Sequence, residues 1–384
     1  MSKQIRAVSL ISGGLDSLLS TKLLLDQGIH VEGINFFTGF CVEGHTHAIR
    51  KQKSDKPKRN NALWVAEQLG IKLHIIDVIE EYRDVLLNPK HGYGKNMNPC
   101  LDCKGFMVKK AKQWMKENEF DFIITGEVMG QRPMSQRKET MPIVQSESGA
   151  NDLLLRPLCA KHLPPTKAEL EGWIDREQLL DFSGRTRKPQ MALAKEYGFE
   201  DYATPAGGCC FLTDKQYSDK LVDMWQSRGS RDYQLDDLMM LKVGRHIRPN
   251  QRFKMIIARE EGEVKFLEGY RNQYTNLYPT SCNGPIALID GEPNQEDIKI
   301  AAKILARYSQ GRGKDSVDVE VRLDSGVMQQ FSVKPFSVDE IKKDWMVYPP
   351  PTALITSILS PSFSENSRCL DFGIIASLTS SAIR

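Results

Sequence analysis

The chain has 384 residues, of which 40% are hydrophobic and 26% are charged, and its net charge is only +3. These values are typical of a soluble globular protein, and any affinity for nucleic acid must come from clustered charges. Because a single hydrophobic core seldom grows beyond roughly 250–300 residues, we expect two or three domains.

The N-terminus leads directly into a predicted strand and has no apolar core of a signal peptide. No uninterrupted apolar run approaches the roughly 20 residues of a membrane span, so we expect a cytoplasmic protein without membrane contact. Eight cysteines are too few for a disulfide scaffold in a chain of this length. In a reducing compartment, closely spaced cysteines indicate metal or redox chemistry.

The first predicted elements are a strand, a glycine turn and a helix. An apolar run at residues 7–11 predicts a buried strand, and the segment from Leu18 to Gln27 predicts a helix that ends at Gly28. The turn between them, residues 12–17, reads Ser-Gly-Gly-Leu-Asp-Ser. Two adjacent glycines allow a close approach of the backbone, and a helix N-terminus presents unpaired N–H groups and a positive dipole end. Such a turn predicts a phosphate site.

This turn is not a Walker loop, because the Walker spacing and its lysine are absent. It resembles the PP-loop of the ATP pyrophosphatases, which split ATP between its α and β phosphates and place AMP on a carbonyl oxygen. The resemblance implies that Ser12, Gly13, Gly14 and Ser17 bind pyrophosphate and that Asp16 helps to place Mg²⁺. The alternative is a glycine turn in an ordinary parallel-sheet protein.

Strand and helix patterns alternate after the first helix. Strands are predicted at residues 31–37, 72–78 and 120–125, and helices at about 60–69 and after Cys103. This alternation predicts a parallel, doubly wound α/β sheet over residues 1 to about 160. Parallel strands place ligands at their carboxyl ends, so we expect Phe37, Gly126 and Glu127 beside the same nucleotide.

Two polar segments are candidates for RNA contact. The connection after the second strand, residues 38–59, contains His45 and His47, which are weaker candidates for metal ligands. It also has six basic residues within ten positions, Arg50, Lys51, Lys53, Lys56, Lys58 and Arg59, which form either a solvated loop or a phosphate-binding arm. The second segment, residues 131–138 with Arg132 and Arg137, either closes over the substrate or is a solvated basic loop.

Cys100 and Cys103 form a Cys-x-x-Cys motif at a predicted helix start, and Cys209 and Cys210 lie in a later glycine turn. A helix N-terminus and neighbouring lysines lower the pKa of a thiol, which favours the thiolate. Three interpretations stay open: an iron–sulfur cluster with one iron free for sulfur, a catalytic persulfide resolved by a disulfide, and a structural zinc site. The isolated cysteines are expected to be buried or incidental residues: Cys41, Cys159, Cys282 and Cys369.

Four segments together resemble the tRNA thiouridine synthases of the ThiI and MnmA type: residues 12–17, 99–104, 125–136 and 204–209. The nearest likeness is to a short branch without an N-terminal THUMP extension or a rhodanese domain, and it covers residues 1 to about 215. It implies a PP-loop domain of the adenine nucleotide alpha hydrolase-like fold. ATP would adenylate a uridine carbonyl oxygen in tRNA, and sulfur would then displace AMP. The likeness to ThiI favours 4-thiouridine over 2-thiouridine.

The resemblance also implies a sulfur site. Related thiolases with three cysteines hold a [4Fe–4S] cluster, which here would bind Cys100, Cys103 and Cys209, with Asp16 completing the catalytic set. Cys210 stands where a leucine-like residue is expected, and it is the substitute ligand. Without a rhodanese domain, the sulfur would come from free sulfide or a carrier protein. The alternatives are a 2-thiouridine synthase using a persulfide, a PP-loop amide synthetase, and a zinc-stabilised RNA-binding protein with a vestigial nucleotide fold.

The pattern changes near residue 226 to one of short strands with one helix. Strands are predicted at residues 254–258, 285–289, 317–321 and 330–333, and a helix at 295–308 that starts after Asn294. These elements predict a smaller α+β domain, and its opening at residues 244–248 resembles the RNA-binding domain shared with the NFACT proteins. The resemblance implies tRNA contacts by Arg245, Arg248, Arg252 and Lys254.

The predicted organisation therefore has four parts. They are a PP-loop domain at residues 1–165, a helical connector with the second cysteine site at 166–225, an α+β RNA-binding domain at 226–348 and a loosely ordered tail at 349–384. The expected partners are tRNA and a sulfur donor, and a homodimer is compatible with this organisation.

Overall fold

The structure is a computed structural model, and it describes residues 4–42, 59–203 and 209–347. Its first sheet is parallel and has five strands in the order β3-β2-β1-β4-β5. The strands are β1 (Arg6–Leu10), β2 (His30–Phe37), β3 (Leu73–Asp77), β4 (Phe122–Thr125) and β5 (Leu154–Leu155). This order confirms the predicted doubly wound α/β sheet, with its topological switch point between β1 and β4.

Helices cover both faces of this sheet. They are α1 (Leu15–Asp26), α2 (Asn61–Leu69), α3 (Ile79–Leu87), α4 (Cys100–Glu117) and α5 (Thr140–Glu147). Ala7 of β1 packs with Leu18 of α1 in one core, whereas its neighbour Val8 packs with Val108 of α4 in another. Successive strand residues point to opposite faces, so a strand buried on both sides reads as a continuous apolar run.

The start of α4 confirms that the Cys-x-x-Cys motif opens a helix but differs from the prediction in its first residue. The helix was expected to begin after Cys103, but it begins at Cys100, directly after Pro99. The amide of Cys103 donates to the carbonyl of Pro99 (2.8 Å), so both cysteines belong to the first helical turn. Pro99 hides the boundary, because proline both precedes helices and interrupts them.

The region from residue 156 to residue 244, which contains the predicted connector (166–225), consists of short turns and helices. Its helices are α6 (Lys167–Leu170), α7 (Lys188–Glu196), α8 (Lys215–Arg228) and α9 (Leu235–Leu241). Ala194 of α7 is buried in the same core as Leu18 of α1. The connector is therefore part of the structure around α1.

The second sheet is antiparallel and has six strands in the order β11-β10-β8-β9-β7-β6. The strands are β6 (Arg245–Asn250), β7 (Phe253–Ile257), β8 (Thr275–Pro279), β9 (Ala287–Gly291), β10 (Val317–Arg322) and β11 (Met328–Val333), and the helices are α10 (Glu261–Glu268) and α11 (Gln295–Arg307). Asn294 caps α11 through the amide of Asp297, and this helix buries Ile298, Ala301 and Leu305 against the sheet. The predicted α+β organisation is confirmed.

Sequence patterns missed β6 and β8. Each contains one proline and few apolar residues, and β6 is an edge strand, where proline is tolerated because one side needs no partner. No helix in the described part of the chain is both long and apolar enough to span a membrane.

Candidate active site

The glycine turn lies at the carboxyl end of β1 and forms the N-terminus of α1. Gly14 is the N-cap residue, and no side chain caps the helix. The Ser17 hydroxyl donates to the Gly14 carbonyl (2.8 Å), and the Ser12 hydroxyl accepts from the Gly14 amide (3.4 Å). An uncapped helix N-terminus presents N–H donors and a positive dipole end, so this turn fits a phosphate group.

Two glycines allow neighbouring elements to reach this turn. Gly13 has a φ of +79°, and a Cβ there would lie 2.7 Å from the amide nitrogen of Ala62 in α2. A Cβ at Gly126, directly after β4, would lie 2.5 Å from the carbonyl carbon of Asp16. Phe37 ends β2, which lies beside β1 in the sheet. The glycine turn, the end of β2 and the end of β4 therefore meet at one sheet edge, as predicted. Both glycines are required by packing.

Asp16 is the acidic residue in the first turn of α1. Its Oδ2 accepts a hydrogen bond from Gln131 Nε2 (2.6 Å). The other end of the Gln131 amide, Oε1, accepts a hydrogen bond from Gln190 Nε2 (2.9 Å). Among the described residues, the buried Oδ1 has no hydrogen-bond partner. Burial raises the pKa of Asp16, although the Gln131 hydrogen bond and the charges of Arg187 and Arg132 act in the opposite direction.

The environment of Asp16 fits a divalent cation. A buried carboxylate oxygen without a partner is costly, and Mg²⁺ prefers carboxylate and phosphate oxygens. Asp16, next to a turn that fits a phosphate group, supplies this donor set. Sequence analysis missed Gln190 because this residue is on α7, far from the glycine turn along the chain.

Glu127 is held by partners within the protein. Its Oε2 accepts from Arg156 Nε (3.0 Å) and from the Thr125 hydroxyl (2.9 Å), and both members of the ion pair are 1% exposed. Burial alone would raise the pKa of Glu127, but Lys104 (4.0 Å) and Arg156 hold it below its usual value. The expected contact between Glu127 and a nucleotide stays a prediction. Arg156 was missed, because a lone arginine after β5 gives no local signal of an ion pair.

Cys100 and Cys103 lie in the first turn of α4. The Cys100 thiol is 3.5 Å from the Ser135 hydroxyl, and Tyr82 is within hydrogen-bond reach of Cys103. Burial raises the pKa of both thiols, and the nearby thiol of Cys209 acts in the same direction. The prediction that their position lowers these pKa values is wrong, because removal of the thiolates from water outweighs the favourable charges.

Cys41 joins this group. It forms an isolated antiparallel bridge with Cys210, and its thiol lies 3.4 Å from the Thr38 hydroxyl. Electrostatic interactions link the Cys41 thiol to Cys103 and Cys210. Cys41 is isolated in the sequence but lies beside other cysteines in the fold, and its distance along the chain explains why spacing did not reveal this. We define the thiol cluster as Cys41, Cys100, Cys103, Cys209 and Cys210.

The remaining cysteines lie apart from the thiol cluster. Cys159 is buried and donates to the carbonyl of Glu127 (3.3 Å). Cys282 is partly buried, 3.3 Å from the Ser309 hydroxyl in the second sheet's domain. Both agree with the expectation of incidental or packing residues, and Cys369 lies outside the described residues.

The thiol cluster has the donor chemistry of a metal site without a closed geometry. Thiolates are soft ligands that suit iron–sulfur clusters and zinc. Within residues 4–42, 59–203 and 209–347, however, no group of three or more histidine, cysteine or acidic side chains is close enough together to hold a metal ion. Cys209 is exposed, whereas Cys100 and Cys103 are partly buried. A [4Fe–4S] cluster on Cys100, Cys103 and Cys209, with Cys210 as substitute, stays a prediction.

One short segment joins the two halves of the site. Gln131 contacts Asp16, and Ser135 contacts Cys100. The segment is closed by a hydrogen bond from the Gly130 amide to the Gln136 carbonyl. Since the chain extends by at most about 3.6 Å per residue, the backbones at 131 and 135 are less than about 15 Å apart. The glycine turn and the Cys-x-x-Cys motif therefore lie along the same edge of the sheet.

The basic residues predicted around this edge have different environments. Arg59 pairs with Asp201, and its guanidinium lies 4.2 Å from the centre of the Trp64 ring. Arg132 is close enough to Asp16 and Cys100 to affect both electrostatically, whereas Arg137 is exposed. Seven predicted residues lie outside the described ranges: His45, His47, Arg50, Lys51, Lys53, Lys56 and Lys58.

The basic residues of the second sheet are largely paired. Arg248 makes two hydrogen bonds to Asp223 (2.6 and 2.9 Å). Arg252 makes two to Asp297 (2.6 and 2.8 Å), and this contact lowers the pKa of Asp297 to about 2. Lys254 is 1% exposed, so its predicted surface contact with RNA is wrong.

Arg245 is arranged differently. Its guanidinium lies 5.0 Å from the centre of the Tyr308 ring, and it lines a groove.

Two predicted segments lie outside the described residues. They are the tail, residues 349–384, and residues 204–208, which precede Cys209 and Cys210.

Two family models match the chain. Residues 2–165 match the family described as thiamine biosynthesis protein (ThiI), and residues 244–346 match the NFACT protein RNA binding domain. Both matches agree with the resemblances found in the sequence.

Several curated proteins are similar to parts of the chain. A tRNA-specific 2-thiouridylase MnmA from Mesoplasma florum is 30% identical over 34% of this chain and 37% of its own length. A protein of the same name from Treponema denticola is 25% identical, covering 62% of both chains. A probable tRNA sulfurtransferase from Thermococcus kodakarensis is 29% identical over 47% of this chain and 40% of its own. The chain thus spans less than two thirds of each of these relatives.

Two solved structures have weaker similarity. A complex of a 4-thiouridine synthetase with RNA and bound ATP has 20% identity and a TM-score of 0.30, covering 52% of this chain and 54% of its own. The C-terminal part of a fibronectin/fibrinogen-binding protein from Streptococcus suis has 11% identity and a TM-score of 0.24, covering 64% and 90%. Both TM-scores are too low to support an argument about this chain, so the likeness of its two domains rests on the family models.

Proposed function

We propose that this chain, which joins a ThiI-family PP-loop domain to an NFACT-type RNA-binding domain, is an enzyme that thiolates uridine in tRNA using ATP. The observation that carries the proposal is the segment at residues 131–135, which contacts Asp16 at one end and Cys100 at the other. A nucleotide site and a thiol site on one sheet edge can act on the same base. The names of the relatives support tRNA as the substrate.

The first step activates the base. A uridine carbonyl oxygen attacks the α phosphorus of ATP, the bond to the β-phosphate oxygen breaks, and pyrophosphate leaves. Negative charge grows on the departing pyrophosphate, where the amides of Gly13 and Gly14 and the hydroxyls of Ser12 and Ser17 can stabilise it. Mg²⁺ held by Asp16 would add Lewis-acid stabilisation of the same oxygens.

Gln131 and Gln190 have a supporting role in this step. Their hydrogen bonds fix Oδ2 of Asp16 and leave the buried Oδ1 for the cation. Arg132 contributes positive charge between Asp16 and Cys100, where the phosphate and the sulfur nucleophile would meet. A short charge-assisted hydrogen bond in a buried site orients its acceptor more firmly than a solvated one.

The second step exchanges oxygen for sulfur. A sulfur nucleophile held at the thiol cluster attacks the adenylated carbon, the carbon–oxygen bond to AMP breaks, and AMP leaves. We assign Cys100, Cys103 and Cys209 as ligands of a [4Fe–4S] cluster, which when bound would supply an open iron for sulfide. The sulfur source is free sulfide or a carrier protein, and the reaction takes place in the cytoplasm, where disulfides are transient.

We propose 4-thiouridine as the product, because the ThiI model matches the whole PP-loop domain. The second candidate is 2-thiouridine, which the relatives named MnmA favour. Protein purified without oxygen should be incubated with unmodified tRNA, ATP, Mg²⁺ and sulfide, and the nucleosides analysed by mass spectrometry. We expect 4-thiouridine with one AMP per modified base.

Other results of the same experiment separate the alternatives. 2-Thiouridine would transfer the assignment to the second candidate. A preparation with zinc, without iron, and without AMP release would support a zinc-stabilised RNA-binding protein and contradict the enzymatic proposal. Iron and sulfide counts on the same sample test the cluster separately from the product.

A further inference from the structure

We infer that Cys41 and Cys210 form a reversible disulfide, a redox site separate from the Cys-x-x-Cys motif. Cys41 follows β2, and Cys210 precedes the short helical turn Phe211–Thr213. Both thiols are free and partly exposed. Neither residue has a role in the proposed thiolation chemistry beyond Cys210 as substitute ligand, and the bridge between them calls for a separate explanation.

The backbone register places the two residues for disulfide formation. The Phe211 amide donates to the Phe40 carbonyl (2.9 Å), and the Val42 amide donates to the Cys209 carbonyl (3.2 Å). These bonds flank Cys41 and Cys210, which are therefore a non-hydrogen-bonded antiparallel pair. The Cα atoms of such a pair are about 4.5 Å apart, within the range of roughly 4.4–6.8 Å found in disulfides.

A buried lysine lies beside this pair. Lys242 Nζ donates to the carbonyl of Gly39 (2.7 Å), two residues before Cys41. Burial lowers the pKa of Lys242 to about 8, and the thiols of Cys41 and Cys210 oppose this shift, which places the ammonium group near both sulfurs. Burial holds the pKa of the Cys210 thiol well above its usual value despite this cation, so it is the backbone register that favours exchange within this pair.

The reaction balances with a low-molecular-weight disulfide as the oxidant. One protein thiolate attacks a sulfur of that disulfide, forms a mixed disulfide and releases one small thiol. The second protein thiolate then attacks the protein sulfur of the mixed disulfide, closing the Cys41–Cys210 bond and releasing the second small thiol. The bond would fix the segment that carries Cys209 against the residues after β2.

The test is disulfide mapping on the full chain. Protein purified without oxygen is equilibrated with oxidised glutathione, alkylated, digested and analysed by mass spectrometry. We expect a cross-link between the Cys41 peptide and the peptide with Cys209 and Cys210, reversed by dithiothreitol. It should be lost in Cys41→Ser and Cys210→Ser and retained in Cys209→Ser and in the control Cys282→Ser. Alkylated Cys41 in the oxidised wild type, or a cross-link that survives Cys210→Ser, would overturn the inference.

A different observation carries a second proposal, which rests on the proposed function. We infer that an arginine-lined groove in the C-terminal domain binds the phosphate backbone of RNA. The groove has a volume of about 500 Å³ and lies between the start of β6, the start of α10 and the end of α11. We define the arginine groove by the basic residues that line it, Arg245, Arg259, Arg307 and Arg312.

The charges of this groove favour an anion. Glu260 and Glu261 also line it, so four arginines against two carboxylates leave a net charge of +2. Within the described ranges, no ion pair involves Arg307 or Arg312, whereas Arg259 pairs with Glu263 (2.9 Å). A guanidinium fork matches a phosphate group.

The arginine groove differs from the contacts expected from the sequence. Arg248 and Arg252 were predicted to bind RNA, but each already makes two hydrogen bonds to a carboxylate. Breaking such a pair to bind a phosphate would replace one charge-assisted contact by another with little gain. We therefore assign the RNA phosphates to Arg245, Arg307 and Arg312.

The test compares two double variants that remove equal charge. Arg307→Ala/Arg312→Ala changes the groove, and Lys299→Ala/Lys334→Ala removes two exposed lysines of the same domain outside it. Binding of an unmodified tRNA transcript is measured at several salt concentrations. We expect the arginine variant to lose affinity about tenfold or more, with a salt slope smaller by about 0.7–0.9 per lost contact.

The outcomes distinguish the groove from the proposed function. Equal tRNA binding by the wild type and the arginine variant, or an equal loss in both double variants, would contradict the assignment of RNA phosphates to the groove. Either result would leave the proposed tRNA thiolation intact. Absence of tRNA binding by the wild type would overturn both. If the arginine variant loses affinity for an acidic peptide but keeps its affinity for RNA, the groove would be assigned to a protein partner.

Discussion

Replacement of Gln131 by leucine removes the hydrogen bond to Oδ2 of Asp16 and preserves the approximate volume of the side chain. The bond is short, 2.6 Å between Gln131 Nε2 and the carboxylate. A hydrogen bond to a charged group contributes roughly 1.5–3 kcal/mol. If Asp16 acts in the transition state as proposed, kcat/KM for AMP formation should fall about 10- to 100-fold.

The pH dependence of Gln131→Leu has a defined sign. Burial already raises the pKa of Asp16, and the Gln131 hydrogen bond opposes this shift. Without the bond the pKa rises further, and because the carboxylate is the cation-binding form, the acidic limb of the pH–rate profile should move to higher pH. For stability, a raised pKa in the folded state favours folding at low pH. That contribution is lost as pH rises through the folded pKa, so the variant should lose stability mainly near neutral pH.

The control for this experiment is Gln190→Leu. It removes the hydrogen bond to Gln131 Oε1 and the weaker direct effect of Gln190 on Asp16, but it leaves the contact between Gln131 and Asp16. We expect a smaller loss of activity and a smaller displacement of the acidic limb. A folded Gln131→Leu protein with wild-type kcat/KM and an unchanged pH profile would refute the assignment of Asp16 as a cation-binding carboxylate held by Gln131.

Four further predictions concern packing and thiol chemistry. Arg156→Met leaves Glu127 buried without its partner and should lower the free energy of unfolding by about 3–5 kcal/mol in urea titrations, whereas adding Glu127→Gln should restore part of it. Gly28→Ala should lower the free energy of unfolding by roughly 1–2 kcal/mol, because φ is positive at this residue. Gly13→Ala should lower it by about 1–3 kcal/mol in thermal unfolding, because the added Cβ meets the start of α2. Cys100→Ser should abolish thiouridine formation while ATP binding, measured by calorimetry, stays within about twofold, and loss of ATP binding would contradict separate nucleotide and thiol sites.

The sequence was informative where the signal is local. Strand β1, the glycine turn and helix α1 have contiguous patterns, and the predicted meeting of the turn with the end of β4 is confirmed. The helix α11 was also predicted, because Asn294 and an amphipathic repeat identify its start and its buried face.

Contacts between distant parts of the chain could not be read in this way. Gln190 reaches the site through the fold of α7, and Arg156 is identified only by its ion pair with Glu127. Cys41 has no neighbouring cysteine in the sequence, yet a strand-like bridge places it opposite Cys210. A lone polar residue gives the same local signal whether it is exposed or faces a partner across the fold, so only the tertiary structure separates these cases.

The ten residues after β4, residues 126–135, contact both the glycine turn and the start of α4. Gly126 packs on the backbone of Asp16, and Glu127 attracts Lys104, the residue that follows the Cys-x-x-Cys motif. Gln131 then returns to the Asp16 side chain, and Ser135 reaches Cys100. Because this segment contacts the nucleotide turn twice and the start of α4 twice, a shift of either half strains the other. The segment therefore sets the distance between the proposed adenylation and sulfur sites, which a substrate base must span in both steps.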